Sequence, residues 1–154
     1  MAKSFLKWAG GKHWLVNNES NRFPKQFNKY IEPFLGGGAV FFHIAPKEAI
    51  ISDINTELID TYIAVRDEFD LVFQELINHQ ENNSKEYYYS VRDCNPEEAY
   101  LRAARMIYLN KTCFNGIYRV NKAGRFNVPY GSERSLNFNK EKLNNVSNIL
   151  KNDI

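Results

Sequence analysis

Apolar positions along the chain fall into two registers. Residues 30–34 (Tyr-Ile-Glu-Pro-Phe) and 49–54 (Ala-Ile-Ile-Ser-Asp-Ile) are short and compact. In the second, Ala-Ile-Ile is continuous rather than alternating, which predicts a strand buried on both faces. Elsewhere apolar letters return every three or four residues, the period of a helix with one buried face. Leu58, Ile59, Tyr62 and Ile63 form one such stripe. Phe69, Val72, Phe73, Leu76 and Ile77 form the next, and Leu101, Ala104, Ile107 and Tyr108 a third. Residues 86–92 and 140–151 read as further helices. Ala39 starts a short helix that Pro46 stops, and Asn55 or Thr56 caps the helix that carries Glu57. Pro96-Glu97-Glu98 opens another. Residues 1–29 read as an entry loop and a helix, with 25–29 as linker. The polar stretch 79–85 reads as a loop. Residues 117–121 and 125–128 read as two strands, joined by the hairpin signal Asn121-Lys122-Ala123-Gly124.

Strands alternating with helices give an α/β class. A doubly wound sheet usually needs five or more strands, and only two core strands are legible. The fold therefore reads as unfinished at Ile154. Residues 1–66 are expected to form a cofactor-binding part and 67–135 a helical insert carrying the hairpin. Residues 136–154 would be a helix returning to the first part.

Composition narrows the setting. At 154 residues, 44% hydrophobic and 25% charged, the chain fits one ordinary globular domain. No apolar run is long enough to span a membrane, and no secretory signal precedes the first motif. Cys94 and Cys113 are too few for a disulfide framework and lack metal-ligand spacing. A reduced, cytoplasmic setting without a bound metal is expected. The net charge of +2 hides an uneven distribution. Residues 48–75 hold eight acidic residues and one basic, whereas 101–134 hold seven basic and one acidic. The basic segment could track a phosphate backbone, or it could be a solvated helix face with loop charges.

Candidate chemistry concentrates near the start. Lys7-Trp8-Ala9-Gly10-Gly11-Lys12 precedes Glu32-Pro33-Phe34-Leu35-Gly36-Gly37-Gly38, and then comes Ser52-Asp53-Ile54-Asn55. The glycines fit neither of two common nucleotide motifs. The third position of the dinucleotide pattern falls on Phe41, and the upstream glycine of a phosphate-binding P-loop falls on Leu6. Phe41 also argues against a nicotinamide-dependent oxidoreductase. What does fit is a glycine turn after one strand and a carboxylate after the next, which can accept from the two hydroxyls of a ribose. Asp53 as a simple helix cap is the bland alternative. In the hairpin, Arg119, Lys122 and Arg125 sit on or beside a ribbon of a shape that enters a major groove, where arginine reads guanine. Phe114 is placed to wedge into a base stack. Asn115 and Asn127 can both donate and accept toward base edges. A purely structural hairpin, with asparagines making turns, is the alternative.

Four motifs in this order resemble the amino-terminal part of the Dam-type DNA adenine-N6 methyltransferases. They are residues 7–12, residues 32–38, residues 52–55, and Phe114 to Asn121 with Phe126-Asn127-Val128-Pro129-Tyr130-Gly131. The resemblance implies a partial Rossmann-like methyltransferase sheet with S-adenosylmethionine as cofactor. At matching positions it gives Trp8 and Lys12 contacts to the cofactor, Lys12 at its carboxylate. Phe34, Gly36 and Gly38 would shape the methionine side, Asp53 would hold the ribose, and Ile54 would pack on adenine. It makes Phe114, Asn115, Arg119, Asn121, Lys122, Arg125, Asn127 and Pro129 contacts to double-stranded DNA at a short adenine-containing site, with GATC the leading candidate.

One family motif is missing. Asp-Pro-Pro-Tyr supplies a carboxylate and a carbonyl that accept from the adenine amine, and a ring that stacks on the extruded base. Asn127-Val128-Pro129-Tyr130 and Asp93-Cys94-Asn95-Pro96 do not replace it, since neither follows a buried strand. No catalytic residue is therefore assigned within the chain, which is expected to be inactive alone. It reads as a fragment, a remnant, or one half of a split enzyme completed by a C-terminal partner. A DNA-binding module that complements or regulates a partner is the second reading.

Overall fold

The computed structural model describes residues 3–132, 135–152 and 154. Glu133 and Arg134, the last charges of the basic stretch, lie outside the described residues. Among the described residues there are seven α-helices and one two-stranded parallel sheet. The strands are β1 (Tyr30–Glu32) and β2 (Ala49–Ile51), linked through α2 (Ala39–Ile44). Tyr30 pairs with Ala49, Ile31 with Ile50 and Glu32 with Ile51. Successive side chains of a strand point to opposite faces. Glu32 and Ala49 are buried on the inner face, with Tyr30 and Ile51 packed against the core. Ile31 and Ile50 on the outer face remain 63% and 53% exposed, so β2 is not buried on both faces as its continuous apolar run predicts. Both strands are shorter than their sequence runs: Pro33 has no amide to donate, and Ser52 makes the last cross-links, its amide donating to the Glu32 carbonyl at 3.0 Å and its carbonyl accepting from the Leu35 amide at 2.9 Å.

Helix α1 (His13–Glu19) lies against α2. Behind the sheet, α3 (Thr56–Asp67), α4 (Phe69–Glu81), α6 (Ala99–Thr112) and α7 (Lys140–Leu150) pack into one core. Phe41, Phe42, Leu58, Val65, Val72, Leu76, Ile107 and Val146 meet there. Asn55 caps α3 by accepting from the Leu58 amide at 2.9 Å, and Asn139 caps α7 from Lys142 at 2.8 Å. A second cluster joins α5 (Lys85–Asp93) to α6 through Tyr88 and Tyr108, with Phe126 and Val128. The Tyr88 hydroxyl donates to the Val128 carbonyl at 2.9 Å, which holds the hairpin segment to the helices.

Three further sequence expectations are corrected. The 79–85 segment is not a loop throughout, since α4 runs to Glu81 and α5 starts at Lys85. His79 continues the Val72–Leu76 stripe and is buried. Next, Pro96 does not open α6, which starts three residues later at Ala99. Finally, residues 117–121 and 125–128 do not form regular strands. They make a ribbon with isolated antiparallel bridges, Val120 with Phe126 and Cys113 with Tyr130. Phe126 and Val128 are buried, but Ile117, Arg119 and Val120 on the facing arm are exposed. The first arm lacks the alternating buried face that sustains a ladder.

His79 has a consequence for acid stability. Burial pushes its imidazole below the ordinary 6.5, against a weaker upward pull from Glu75, whose carboxylate lies 3.7 Å from Nε2. Tyr87 lies against Nδ1 at 2.8 Å and the Tyr108 ring stacks on the imidazole. As pH falls, the unfolded chain takes up this proton first. The stability from a neutral His79 is complete above 6.5 and is lost as pH falls toward the folded value. Urea midpoints measured from about pH 7 to about pH 5 should fall more steeply for the natural chain than for His79→Phe. Equal slopes would remove His79 from this account.

Candidate cofactor and nucleic-acid site

The loops after β1 and β2 are tied to each other. Asp53 Oδ2 accepts from the Gly36 amide at 2.8 Å, and Oδ1 accepts from the Asn55 amide at 3.0 Å. Each oxygen keeps acceptor capacity, since an ionised carboxylate has about four lone-pair sites. Gly36 has φ +53°, and a Cβ there would lie 3.1 Å from the Trp8 ring. Trp8 thus lies directly over the glycine turn. Tyr62, fixed inside the core, donates from its hydroxyl to the Gly36 carbonyl at 2.9 Å. Burial chiefly, and then the Glu32 and Asp53 charges, push its phenol well above the ordinary range.

Lys12 reaches the start of the same turn. Its ammonium donates to Glu32 Oε1 at 2.9 Å and to the Phe34 carbonyl. An ammonium has three donors, so one remains. Glu32 is only 7% exposed and also accepts from the Tyr30 hydroxyl at 2.6 Å. Burial chiefly, together with that bond, pushes the Tyr30 phenol up. Glu32 had no role among the sequence candidates. Its signal was an acidic residue ending an otherwise apolar strand.

Trp8, Lys12, Gly36 and Asp53 therefore surround one turn. Gly38, at φ +69°, closes that turn against Phe42 and Tyr62. Phe34 and Ile54 project outward at its rim, 77% and 99% exposed. The turn is an open cradle with carboxylates, one lysine and apolar side chains around it.

The nucleic-acid candidates lie along residues 114–129. A short 3-10 turn, Phe114–Gly116, leaves the Phe114 ring half-exposed and puts Asn115 at φ +56°. The Phe114 amide donates to the Pro129 carbonyl at 2.9 Å, which brings these two candidates together. Arg119 donates through Nε to Asn127 Oδ1 at 2.8 Å. This bond holds the guanidinium on the ribbon surface. The Asn121 side chain accepts from the Ala123 and Arg125 amides at 2.9 and 3.0 Å, so it shapes the turn. Lys122 and Arg125 are exposed at the tip.

One contact ties α6 to the segment that carries Trp8, and a second joins the ribbon to Trp8 itself. Asn110, buried in α6, accepts from the Lys7 amide and donates to the Lys7 carbonyl, both at 2.8 Å. Tyr118 stacks on Trp8, with centroids 4.9 Å apart and planes at 27°. Its hydroxyl donates to Glu57 Oε2 at 2.6 Å. Burial first, and then this bond, push the Tyr118 phenol up to about 12. Neither Tyr118 nor Asn110 was a sequence candidate, because contacts spanning 61 and 103 positions leave no local pattern.

An α/β protein with a glycine turn and a carboxylate bonded together at neighbouring parallel strand ends is the class these features define. Residues 8–154 match the family model of D12 class N6 adenine-specific DNA methyltransferase, and the chain belongs to that family. It is 44% identical over 172 residues to the type II methyltransferase M.MjaIII of Methanocaldococcus jannaschii, covering 97% of this chain and 60% of that protein. It is 40% identical over 158 residues to the type II methyltransferase M1.LlaDCHI of Lactococcus lactis subsp. cremoris, covering 98% and 56%. Against the DNA adenine methylase of Serratia marcescens it is 39% identical over 145 residues, covering 92% and 53%. The chain thus spans a little over half the length of these relatives.

Proposed function

We propose that the chain supplies the S-adenosylmethionine cradle and the DNA-reading ribbon of a site-specific DNA adenine-N6 methyltransferase. The observation that carries this reading is the Gly36–Asp53 bond beneath Trp8, which makes one cradle from three separate motifs. The donor set suits the cofactor. Asp53 has acceptor capacity for ribose hydroxyls, Ile54 offers an apolar surface for adenine, and the free donor of Lys12 suits a carboxylate. Glu32 and Asp53 favour the cofactor's positive charges. The bound cofactor supplies an already activated methyl group, so the protein's part is placement.

On the DNA side, Arg119 reads a base edge, Phe114 wedges into the stack, and Asn115 and Asn127 contact base edges beside Pro129. Asn121, Lys122 and Arg125 contact the backbone of double-stranded DNA, and GATC is the proposed site. Residues 1–66 serve the cofactor and 67–135 the DNA, within a cytoplasmic enzyme. No helix among the described residues is long and apolar enough to cross a membrane.

The exposed Ile31 and Ile50 favour a complementing role. We place further methyltransferase polypeptide over this outer sheet face and along the unpaired edges of β1 and β2, where it would extend a Rossmann-like sheet and bring the Asp-Pro-Pro-Tyr groups. The 154-residue chain alone is then expected to bind but not to turn over. A tritium-transfer assay on adenine-containing duplex tests this, and robust turnover by the chain alone would contradict it.

Arg119→Ala should relax sequence preference by about 1 to 3 kcal/mol per lost bidentate contact. Competition binding with a GATC duplex and a scrambled one measures it. An equal loss on both sequences would make Arg119 a phosphate contact.

A further inference from the structure

Tyr118 lies next to Arg119 in the chain and against Trp8 in space. From Arg119, covalent and packed contacts run through Tyr118 and Trp8 to Gly36 and then to Asp53. The far side of Tyr118 is anchored, because its hydroxyl is bonded to Glu57. Glu57 is in turn paired with Arg105 at 3.5 Å, and Arg105 donates to the Val91 carbonyl at 2.9 Å. Tyr118 therefore joins the base of the ribbon to both the helical core and the ring over the glycine turn. A packing residue buried in a core would touch neither proposed ligand path. This one is only partly buried and sits between the two.

We infer that Tyr118 is a positioning residue that couples the cofactor cradle to the DNA-reading ribbon through the Trp8 ring. The inference rests on the proposed cofactor and DNA roles. Duplex bound at Arg119 fixes the base of the ribbon and with it the Tyr118–Trp8 stack. Cofactor bound at Asp53 fixes Trp8 from below. Whichever ligand binds first orders the ring pair, and the second meets it already ordered. The coupling must be reciprocal: the factor by which duplex raises cofactor affinity equals the factor by which cofactor raises duplex affinity.

The experiment uses the 154-residue chain with Trp14→Phe, which leaves Trp8 as its one tryptophan. Trp14 is exposed on α1, so this change is mild. Affinities for S-adenosylmethionine and for a GATC duplex of about two helical turns, ~21 base pairs, are measured separately and together. The expected coupling is at least about fivefold and equal in both directions. Duplex alone should also shift Trp8 emission. With Tyr118→Ala added, both ligands should still bind, the coupling factor should fall to one, and the duplex-induced shift should vanish. Tyr118→Phe keeps the ring but loses the Glu57 bond, and its factor should be reduced. It carries the test if the alanine variant does not fold. A wild-type factor of one overturns the inference while leaving the cofactor and DNA roles standing. So does a wild-type factor retained in the Tyr118 variants, which would make the residue merely structural. If the natural chain binds neither ligand, the proposed function fails and the inference fails with it.

Discussion

Asp53→Ala should weaken S-adenosylmethionine binding by about 1 to 3 kcal/mol, since hydrogen bonds to a charged acceptor contribute that much. The effect has two sources. The proposed ribose contacts are lost, and so are the bonds from the Gly36 and Asn55 amides that hold the two loops together. Asp53→Asn removes part of each. Its one carbonyl oxygen keeps a single amide bond and loses the charge, so its affinity should fall between the natural chain and the alanine variant. Titration calorimetry reads all three. Unchanged affinity in Asp53→Ala would refute the ribose role.

The second large effect concerns folding. Gly38 sits at φ +69°, and a Cβ there would lie 2.7 Å from the Phe42 ring and 3.3 Å from the Tyr62 hydroxyl. A left-handed non-glycine residue costs about 1–2 kcal/mol. Forcing a methyl group into a packed site costs about 1–3 kcal/mol more. Gly38→Ala should therefore lose both amounts in urea unfolding. Gly124→Ala is the control. Its φ is +74°, but nothing lies within 4 Å of its Cβ position, so only the backbone cost applies. Equal losses at the two positions would show that the Phe42 and Tyr62 rings move aside freely.

The two variants bear on different parts of the same turn. Gly38 lets the chain leave β1 and enter α2 under the aromatic core, and Asp53 fastens that turn to the neighbouring strand. A damaged turn lowers stability first, whereas a damaged ligand contact lowers affinity first. Measuring both quantities on both variants therefore separates architecture from recognition.

Much of the helical core was legible. The stripes Leu58–Tyr62, Phe69–Leu76 and Leu101–Tyr108 carry the helical period, and each lies in an observed helix. His79 is buried although the sequence pattern assigns it to a loop, because a polar residue occupies the next buried position of a stripe. Its neighbours are Tyr87, across the α4–α5 connection, and Tyr108 in α6, and no helical period joins either to it. The ribbon departs from the expected pair of strands because only the arm with Phe126 and Val128 is buried, while the other arm packs toward Trp8 and Glu57 through Tyr118. In the cradle, the glycines and Asp53 stood out by spacing. Glu32 and Tyr118 did not, because their roles come from Lys12, Tyr30, Trp8 and Glu57 meeting them in three dimensions.

Amide chemical-shift mapping of the 154-residue chain during titration with S-adenosylmethionine tests the central claim most directly. The account predicts that the shifts concentrate at Trp8, Lys12, Gly36, Asp53 and Ile54, with a weaker response reaching Tyr118. Shifts confined to any other surface, with those five amides unmoved, would contradict it.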